Sequence, residues 1–340
     1  MVQHTKTFLG IDVSKPHFDV SVVKVVNHQK QPMLTERFSN TAAGLKAFHK
    51  WLVSLKVNFN EYSLLVIENT GMYHRLLWKY CSEHGLPIHI GNAAHIKWSF
   101  GIARGKNDKV DSQRLCSYAL KHADELKATP VLDPVFLKLK DLLASRSKLL
   151  TQLNGILTYL KELKLSNPAS VQTLMEKAHK AAIEGLKKSI LEIEKQLKQL
   201  VQEDERIRRN YQLLVSVPGV GHVTALHIIR CTNNFALKVS GKQLGSYAGV
   251  VPFQHTSGIS IKGRNRVHSM ANKELKCMLH LCALIAVRYY PEFKHYYERK
   301  RAEGKHTMSV LNAVRNKIAL RVVAVVNKQQ PYVAPLSTAI

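Results

Sequence analysis

The stretch FLGIDVSKPHFDVSVV, within residues 6–26, is apolar and β-branched on both sides of a turn-like Ser14-Lys15-Pro16-His17, a pattern that predicts a β-hairpin. A third strand is predicted over PMLTERFSN, and a helix follows over AAGLKAFHKWLVSL, where Leu45, Phe48 and Leu52 recur at helical spacing. YSLLVIEN reads as a buried strand, GMYHRLLWKYCSEHG as a helix ending at Gly85, and LPIHIGN as a further strand. Strands and helices thus alternate to about residue 125, the pattern of an α/β domain.

From Phe136 to about Tyr211 the period lengthens. Leu139, Leu142, Arg146, Leu149, Leu153, Ile156, Leu160 and Leu163 follow steps of three and four, with Arg146 the polar exception. SNPAS interrupts them, and Ile183, Leu186, Ile190, Ile193, Leu197 and Leu200 resume the same steps. Such a seam closes on itself as a hairpin or pairs with another chain, and a protruding coiled coil for self-association is the favoured expectation. Beyond it, LLVSVPGVGHVTALHII sets two apolar helical stretches around Pro218-Gly219-Val220-Gly221, resembling a helix-hairpin-helix. In that element Gly219 and Gly221 let backbone amides and a helix N-terminus approach a phosphate. These breaks divide the chain into 1–128, 129–212 and 213–340, the last a mainly α region.

Charge narrows the partner. The 340 residues carry 50 Lys+Arg against 24 Asp+Glu, a formal charge of +26 that suits a polyanion, with nucleic acid the leading candidate. The excess is concentrated late: from Arg206 onward there are 21 Lys+Arg and four acids, Glu274, Glu292, Glu298 and Glu303. The five cysteines form no CxxC pair, which fits a reducing cytoplasm. Cys277, His280 and Cys282 lie in an apolar helical setting, CMLHLCALIA, and read as packing rather than a zinc site. No signal peptide or bilayer-spanning run is evident, so a soluble cytoplasmic protein without membrane contact is expected.

Four carboxylates stand where a buried scaffold would present them. Asp12 interrupts an apolar strand, Glu68 ends another, and Asp108 and Asp111 sit three residues apart at the start of a predicted helix, on one face. Taken singly, each has a plain reading as a turn, cap or first-turn acid. Convergence of all four would require a hard divalent cation to offset their repulsion. Asp19, in the second strand of the hairpin, is the acid most easily mistaken for a member of the set, and Asp124 and Glu125 read as solvated surface.

GIDVSK, VIENTG and ARGKNDKVDSQRL together resemble the D, E, D, D acids of the RuvC-like, RNase H-fold domain of IS110-family insertion-sequence transposases, which are related to Piv DNA invertases. YAGVVPFQHTSG followed by the basic KGRNR resembles the signature of that family's C-terminal transposase domain, joined to the first by a coiled coil. The resemblance runs from about residue 6 to about 325. It implies metal binding and catalysis by Asp12, Glu68, Asp108 and Asp111, and a nucleophile at Ser257, with Thr256 a neighbouring second hydroxyl. It also implies a site shared between protomers of a dimer or tetramer, and a structured bridge RNA that pairs with donor and target DNA. Nucleoid association during activity follows from the same resemblance.

Phosphodiester exchange needs an in-line nucleophile and compensation of charge on the phosphate oxygens, which one or two Mg²⁺ ions would supply. A water nucleophile gives a nuclease; a serine nucleophile stores the bond in a covalent link for rejoining. His255, two residues before Ser257, is a nearby base, and Lys262, Arg264 and Arg266 suit phosphate-backbone contact without base specificity. No zinc finger or helix-turn-helix is evident for reading bases. The leading expectation is an RNA-guided, Mg²⁺-dependent serine recombinase. The alternatives are a RuvC-type junction nuclease without a covalent intermediate and a non-catalytic basic nucleic-acid scaffold.

Overall fold

The computed structural model describes every residue except 1–4, 60–62, 70, 101–106, 131–132, 237, 258–260, 268–269 and 335–340, with backbone alone at 254–257 and 261–266. The chain divides into two compact units, Met1–Leu132 and Asp133–Ile340.

In the first unit, β1 (Thr5–Val13) and β2 (His17–Val26) form the expected antiparallel hairpin, followed by a two-residue strand β3 (Gln29–Lys30) and by β4 (Leu34–Ser39). Helix α1 (Ala42–Ser54) starts at Thr41, whose side chain accepts from the Gly44 amide. Next come β5 (Leu64–Glu68), α2 (Arg75–Glu83), β6 (Ile88–Gly91), α3 (Ala93–Ser99) and α4 (Asp108–Lys121). The sheet order is β3-β2-β1-β5-β6, with β4 also paired to β2. The β1–β2 pairing is antiparallel, whereas β1–β5 and β5–β6 are parallel. This is a mixed sheet with helices packed on both faces. Strand β3 and helix α3 were not legible in the hydrophobic pattern.

Central β1 buries both faces. Leu9, Ile11 and Val13 join Phe18, Val20 and Val22 against Leu45, Phe48 and Leu52 of α1 and Leu77 and Trp78 of α2. The opposite face, with Phe8, Val23, Leu64 and Val66, packs on Ile96 of α3 and on Leu115, Cys116 and Ala119 of α4. Helix α4 lies so close that a Cβ at Gly10 would fall 1.9 Å from the Cys116 amide nitrogen and 2.3 Å from the Ser112 carbonyl oxygen. Only glycine admits that approach. Beside it, the Ser21 hydroxyl contacts those of Ser112 at 2.8 Å and Thr35 at 2.9 Å, so the helix's buried polar face is satisfied.

In the second unit, α5 (Pro134–Ser166) and α6 (Ala169–Glu203) are joined by Asn167 and Pro168. Asn167 takes the extended backbone that a following proline imposes. The two helices run antiparallel: Lys164 pairs with Glu176 near the turn and Arg146 with Glu194 farther along. Leu139, Leu153 and Leu160 are buried, as are Ile190, Leu197 and Leu200. Of the two open alternatives, the seam closes as a hairpin within the chain. Its polar exception is satisfied there, since Arg146 donates through Nε and a terminal nitrogen to Glu194 Oε1 at 2.9 and 2.7 Å.

Helix α7 (Glu205–Val215) is tied to the base of the hairpin by Arg206, which reaches both Asp133 (2.5 Å) and Asp204 (2.8 Å). A turn leads to α8 (His222–Cys231), then α9 (Gly241–Tyr247) and a two-stranded hairpin of β7 (Phe253–Ser257) and β8 (Ile261–Arg266). Helices α10 (Lys273–Tyr289), α11 (Pro291–Ala302) and α12 (Thr307–Lys328) complete the unit. Val314, Ile318 and Val322 make α12 its buried centre.

Between α7 and α8, Gly219 has φ +82°, and a Cβ there would stand 2.3 Å from the Cys282 carbonyl oxygen of α10. Gly219→Ala is therefore expected to lower stability by about 2–4 kcal/mol, through a left-handed backbone and a clash with immobile main chain. Urea unfolding of the full chain checks this.

Candidate metal centre

Strand register decides which acids meet. Residues directly opposite in an antiparallel ladder project to the same face. Asp12 stands opposite Asp19, and Asp19 stands opposite Arg37, so the three form a row across β1, β2 and β4. Gly10, Ser21 and Thr35 form the next row on that face, the one covered by α4. Along β5, Leu64 and Val66 belong to this same face, and the period-2 alternation brings Glu68 to it. Glu68 lies one residue past the last paired β1–β5 position, Ile11 opposite Ile67, level with Asp12.

Helix α4 contributes the other two. The Asn107 side chain caps it by accepting from the Lys109 amide, which places Asp108 and Asp111 in the first turn, where the helix dipole favours negative charge. The close seat over Gly10 brings that turn to Asp12.

The electrostatics of Asp12 register the convergence. Its carboxyl is pushed up to about 6, first by burial and then by the charges of Asp108, Asp111, Glu68 and Asp19. Glu68, Asp108 and Asp111 thus stand near enough for their charges to act on Asp12, as does Asp19, while Asp108 alone of the four sequence-predicted acids belongs to the group whose ligand atoms lie within 4.8 Å of one another.

The acids differ in their partners. Asp19 is 5% exposed and accepts two hydrogen bonds from Arg37, from Nε at 3.1 Å and from a terminal nitrogen at 2.9 Å. Asp111 pairs with Arg114 at 2.8 Å. Asp108 is half exposed, and its Oδ2 lies 3.2 Å from His17 Nε2 and 3.5 Å from Arg37. His17 Nε2, Asp19 and Asp108 place one ligand atom each within 4.8 Å of one another. His17 and Arg37 are the members that the sequence pattern did not reveal. His17 follows a turn in which the Ser14 hydroxyl donates to the His17 carbonyl at 2.6 Å, the one local cue to a fixed position.

This donor set fits a hard divalent cation: several carboxylates, one of them raised by burial and then by the charge of its neighbours, on two strand ends and one helical turn. Asp12, Glu68, Asp108 and Asp111 could hold such an ion, with Asp108 and Asp111 giving up their contacts to His17, Arg37 and Arg114, while Asp19 keeps two hydrogen bonds from Arg37.

In the second unit, the backbone places Ser257 at the end of β7 opposite Ile261, with Thr256 opposite Lys262 and His255 opposite Gly263. Lys262, Arg264 and Arg266 alternate along β8, and Gly258 lies outside the described residues. Gly219 is buried against α10, and Gly221 is exposed as the N-cap of α8. His280 contacts Arg315 at 2.6 Å and Cys282 contacts Thr224, so the cysteine–histidine cluster is structural. Among the described residues no helix is long and apolar enough to cross a membrane.

Comparison with known proteins matches two family models. One, of the DEDD type of IS110 elements and described as "Transposase", covers residues 9–163. The other, "Transposase IS116/IS110/IS902 family", covers 211–298. The pilin gene-inverting protein of Moraxella bovis is 28% identical over 341 residues, covering 96% of this chain and 98% of that protein. An uncharacterized 43.6 kDa protein of insertion element IS110 from Streptomyces coelicolor is 34% identical over 109 residues, 32% of this chain and 27% of its own length. Among solved structures, T. thermophilus RuvC in complex with a Holliday junction substrate aligns with TM-score 0.29 and 12% identity, over 36% of this chain and 99% of that one.

Proposed function

The chain belongs to the IS110 family of insertion-sequence transposases, and from that membership and its acid pocket we propose that it cleaves and rejoins DNA strands through a serine-linked intermediate. The observation that carries the reading is Asp12, whose carboxyl is lifted to about 6 by burial and by the acids converging on it. Such a pocket is costly unless a cation is part of its work.

Asp12, Glu68, Asp108 and Asp111 would hold one or two Mg²⁺ ions. The bound ion supplies compensation for charge on the phosphate oxygens. Ser257 provides the nucleophile: its hydroxyl gives up a proton, its oxygen bonds to phosphorus, and the leaving sugar hydroxyl departs with a proton. Reversal by another strand's hydroxyl restores the serine and rejoins the DNA, so bond energy is conserved. Lys262, Arg264 and Arg266, with the exposed Gly221 N-cap, contact phosphates and fix register without reading sequence.

Sequence choice passes to a bridge RNA that pairs with donor and target DNA, a division of labour consistent with +26 net charge. Acids and serine lie in separate units, and the site is composite, shared between protomers of a dimer or tetramer. Outward-facing Leu157, Leu174 and Leu191 on the α5–α6 hairpin offer apolar surface for that assembly.

The test is strand exchange by protein purified with its RNA. Asp111→Asn is expected to remove the divalent-dependent reaction while leaving DNA retention within about threefold, and unchanged exchange overturns the cation assignment. Sequencing of the copurified RNA is expected to return one structured transcript pairing with both DNA partners; random cellular RNA overturns the guide.

A further inference from the structure

The acid pocket carries a cation of its own. The guanidinium of Arg37 is half exposed, and two hydrogen bonds hold it on Asp19, which is almost fully buried. From that seat the terminal nitrogen that bonds Asp19 also stands 3.5 Å from Asp108 Oδ2. The same oxygen is 3.2 Å from His17 Nε2. Asp108 is thereby drawn toward β2 and β4, while Asp12, one strand over, faces the remaining carboxylates.

The neutralising groups are unevenly placed. Asp19 has Arg37, Asp108 has Arg37 and His17, and Asp111 has Arg114, whereas the charges that act on the Asp12 carboxyl from the described residues are those of acids. Arg37 and His17 therefore stand on the Asp108 side of the pocket.

We propose that Arg37, seated on Asp19, is an internal counter-cation of the acid pocket that, with His17, competes with a divalent metal ion for Asp108 and so sets how tightly the pocket binds it. The proposal rests on the reading of the quartet as a cation site. Arg37 and His17 are positioning residues: they act on the metal through Asp108 and do not touch substrate. A divalent ion entering beside Asp12 turns the Asp108 carboxylate away from His17 and Arg37, and each such contact subtracts from its affinity. The arrangement has a use in a recombinase, since an acid pocket occupied weakly until DNA phosphates add their own ligands remains inactive without substrate.

The test is Mn²⁺ binding to the full chain without DNA, followed by titration calorimetry. Removing a unit positive charge from beside a divalent ion at a water-exposed site is expected to tighten binding by about tenfold in Arg37→Gln. His17→Gln leaves the Asp19–Arg37 pair intact and is expected to tighten binding several-fold. Arg37→Lys, which keeps the charge and loses the fork, is expected to change affinity less than Arg37→Gln. Because Arg37→Gln leaves Asp19 buried without its partner, the melting temperature is measured alongside, and His17→Gln decides the matter if that variant does not fold. Unchanged or weaker Mn²⁺ binding in the folded variants overturns the counter-cation. Absence of Mn²⁺ binding by the wild-type chain, or binding undiminished by Asp12→Asn, overturns the cation site itself.

Discussion

Ser257→Ala is expected to abolish covalent attachment of the protein to DNA and to lower strand exchange by on the order of 10⁴-fold or more, the scale of losing a nucleophile from a machine whose other parts remain. Nucleic-acid binding is expected to stay within about twofold, because retention depends on the basic surface and not on one hydroxyl. The measurement is a denaturing gel of the full chain incubated with labelled donor DNA, Mg²⁺ and its RNA, on which an adduct migrates with protein. The neighbouring hydroxyl sharpens the assay. Thr256→Val is expected to keep the adduct, since the backbone places Thr256 opposite Lys262 one residue in from the end of β7, whereas Ser257 is that strand's last residue. An adduct of wild-type yield in Ser257→Ala removes this serine from the chemistry. Loss of the adduct with undiminished DNA cleavage returns the protein to the junction-nuclease alternative, in which water attacks.

The legibility of these residues in the sequence follows from the range of the interactions that place them. A carboxylate interrupting an apolar strand is a local anomaly, so Asp12 and Glu68 stood out. The i,i+3 spacing of Asp108 and Asp111 behind a capping Asn107 gave their shared face. Arg37 and His17 had no such signal. Their presence depends on two antiparallel registers, Asp12 opposite Asp19 and Asp19 opposite Arg37, and a slip of one residue would send every side chain of the strand to the other face. Asp19, set apart as the acid most easily mistaken for a ligand, does face Asp12, yet its carboxylate is committed to Arg37. The role of Gly10 has no local signal in the sequence, because only the seating of α4 reveals that its missing Cβ lets that helix approach β1. The heptad-like steps gave both long helices, but whether the seam closes within or between chains is decided by the two-residue link at Asn167 and Pro168, too short for anything but immediate reversal.

Asp12→Asn is expected to move activity and stability in opposite directions. Strand exchange falls by at least the roughly 10²-fold that loss of a mere outer-shell partner can cost a metal site. Stability at neutral pH rises. An aspartate has an unfolded-state value near 3.9, and in the folded protein Asp12 is pushed up to about 6. Between these values the folded chain binds more protons than the unfolded chain, so stability falls as pH climbs from about 4 to about 6 and stays reduced above that range. Asparagine carries no charge to desolvate or to repel Asp108, Asp111, Glu68 and Asp19, and it escapes this loss. In buffer with chelator at pH 8, Asp12→Asn is therefore expected to melt at a higher temperature than wild type, with the gap closing below about pH 4. Added Mn²⁺ reverses the order, because a ligand bound only by the folded wild-type pocket stabilises it by mass action. Differential scanning calorimetry at several pH values, with and without the ion, reads all of these effects. A variant that melts below wild type at pH 8 in chelator would mean that Asp12 is a structural hydrogen-bonding residue, and the repulsion that motivates a cation in this pocket would be absent.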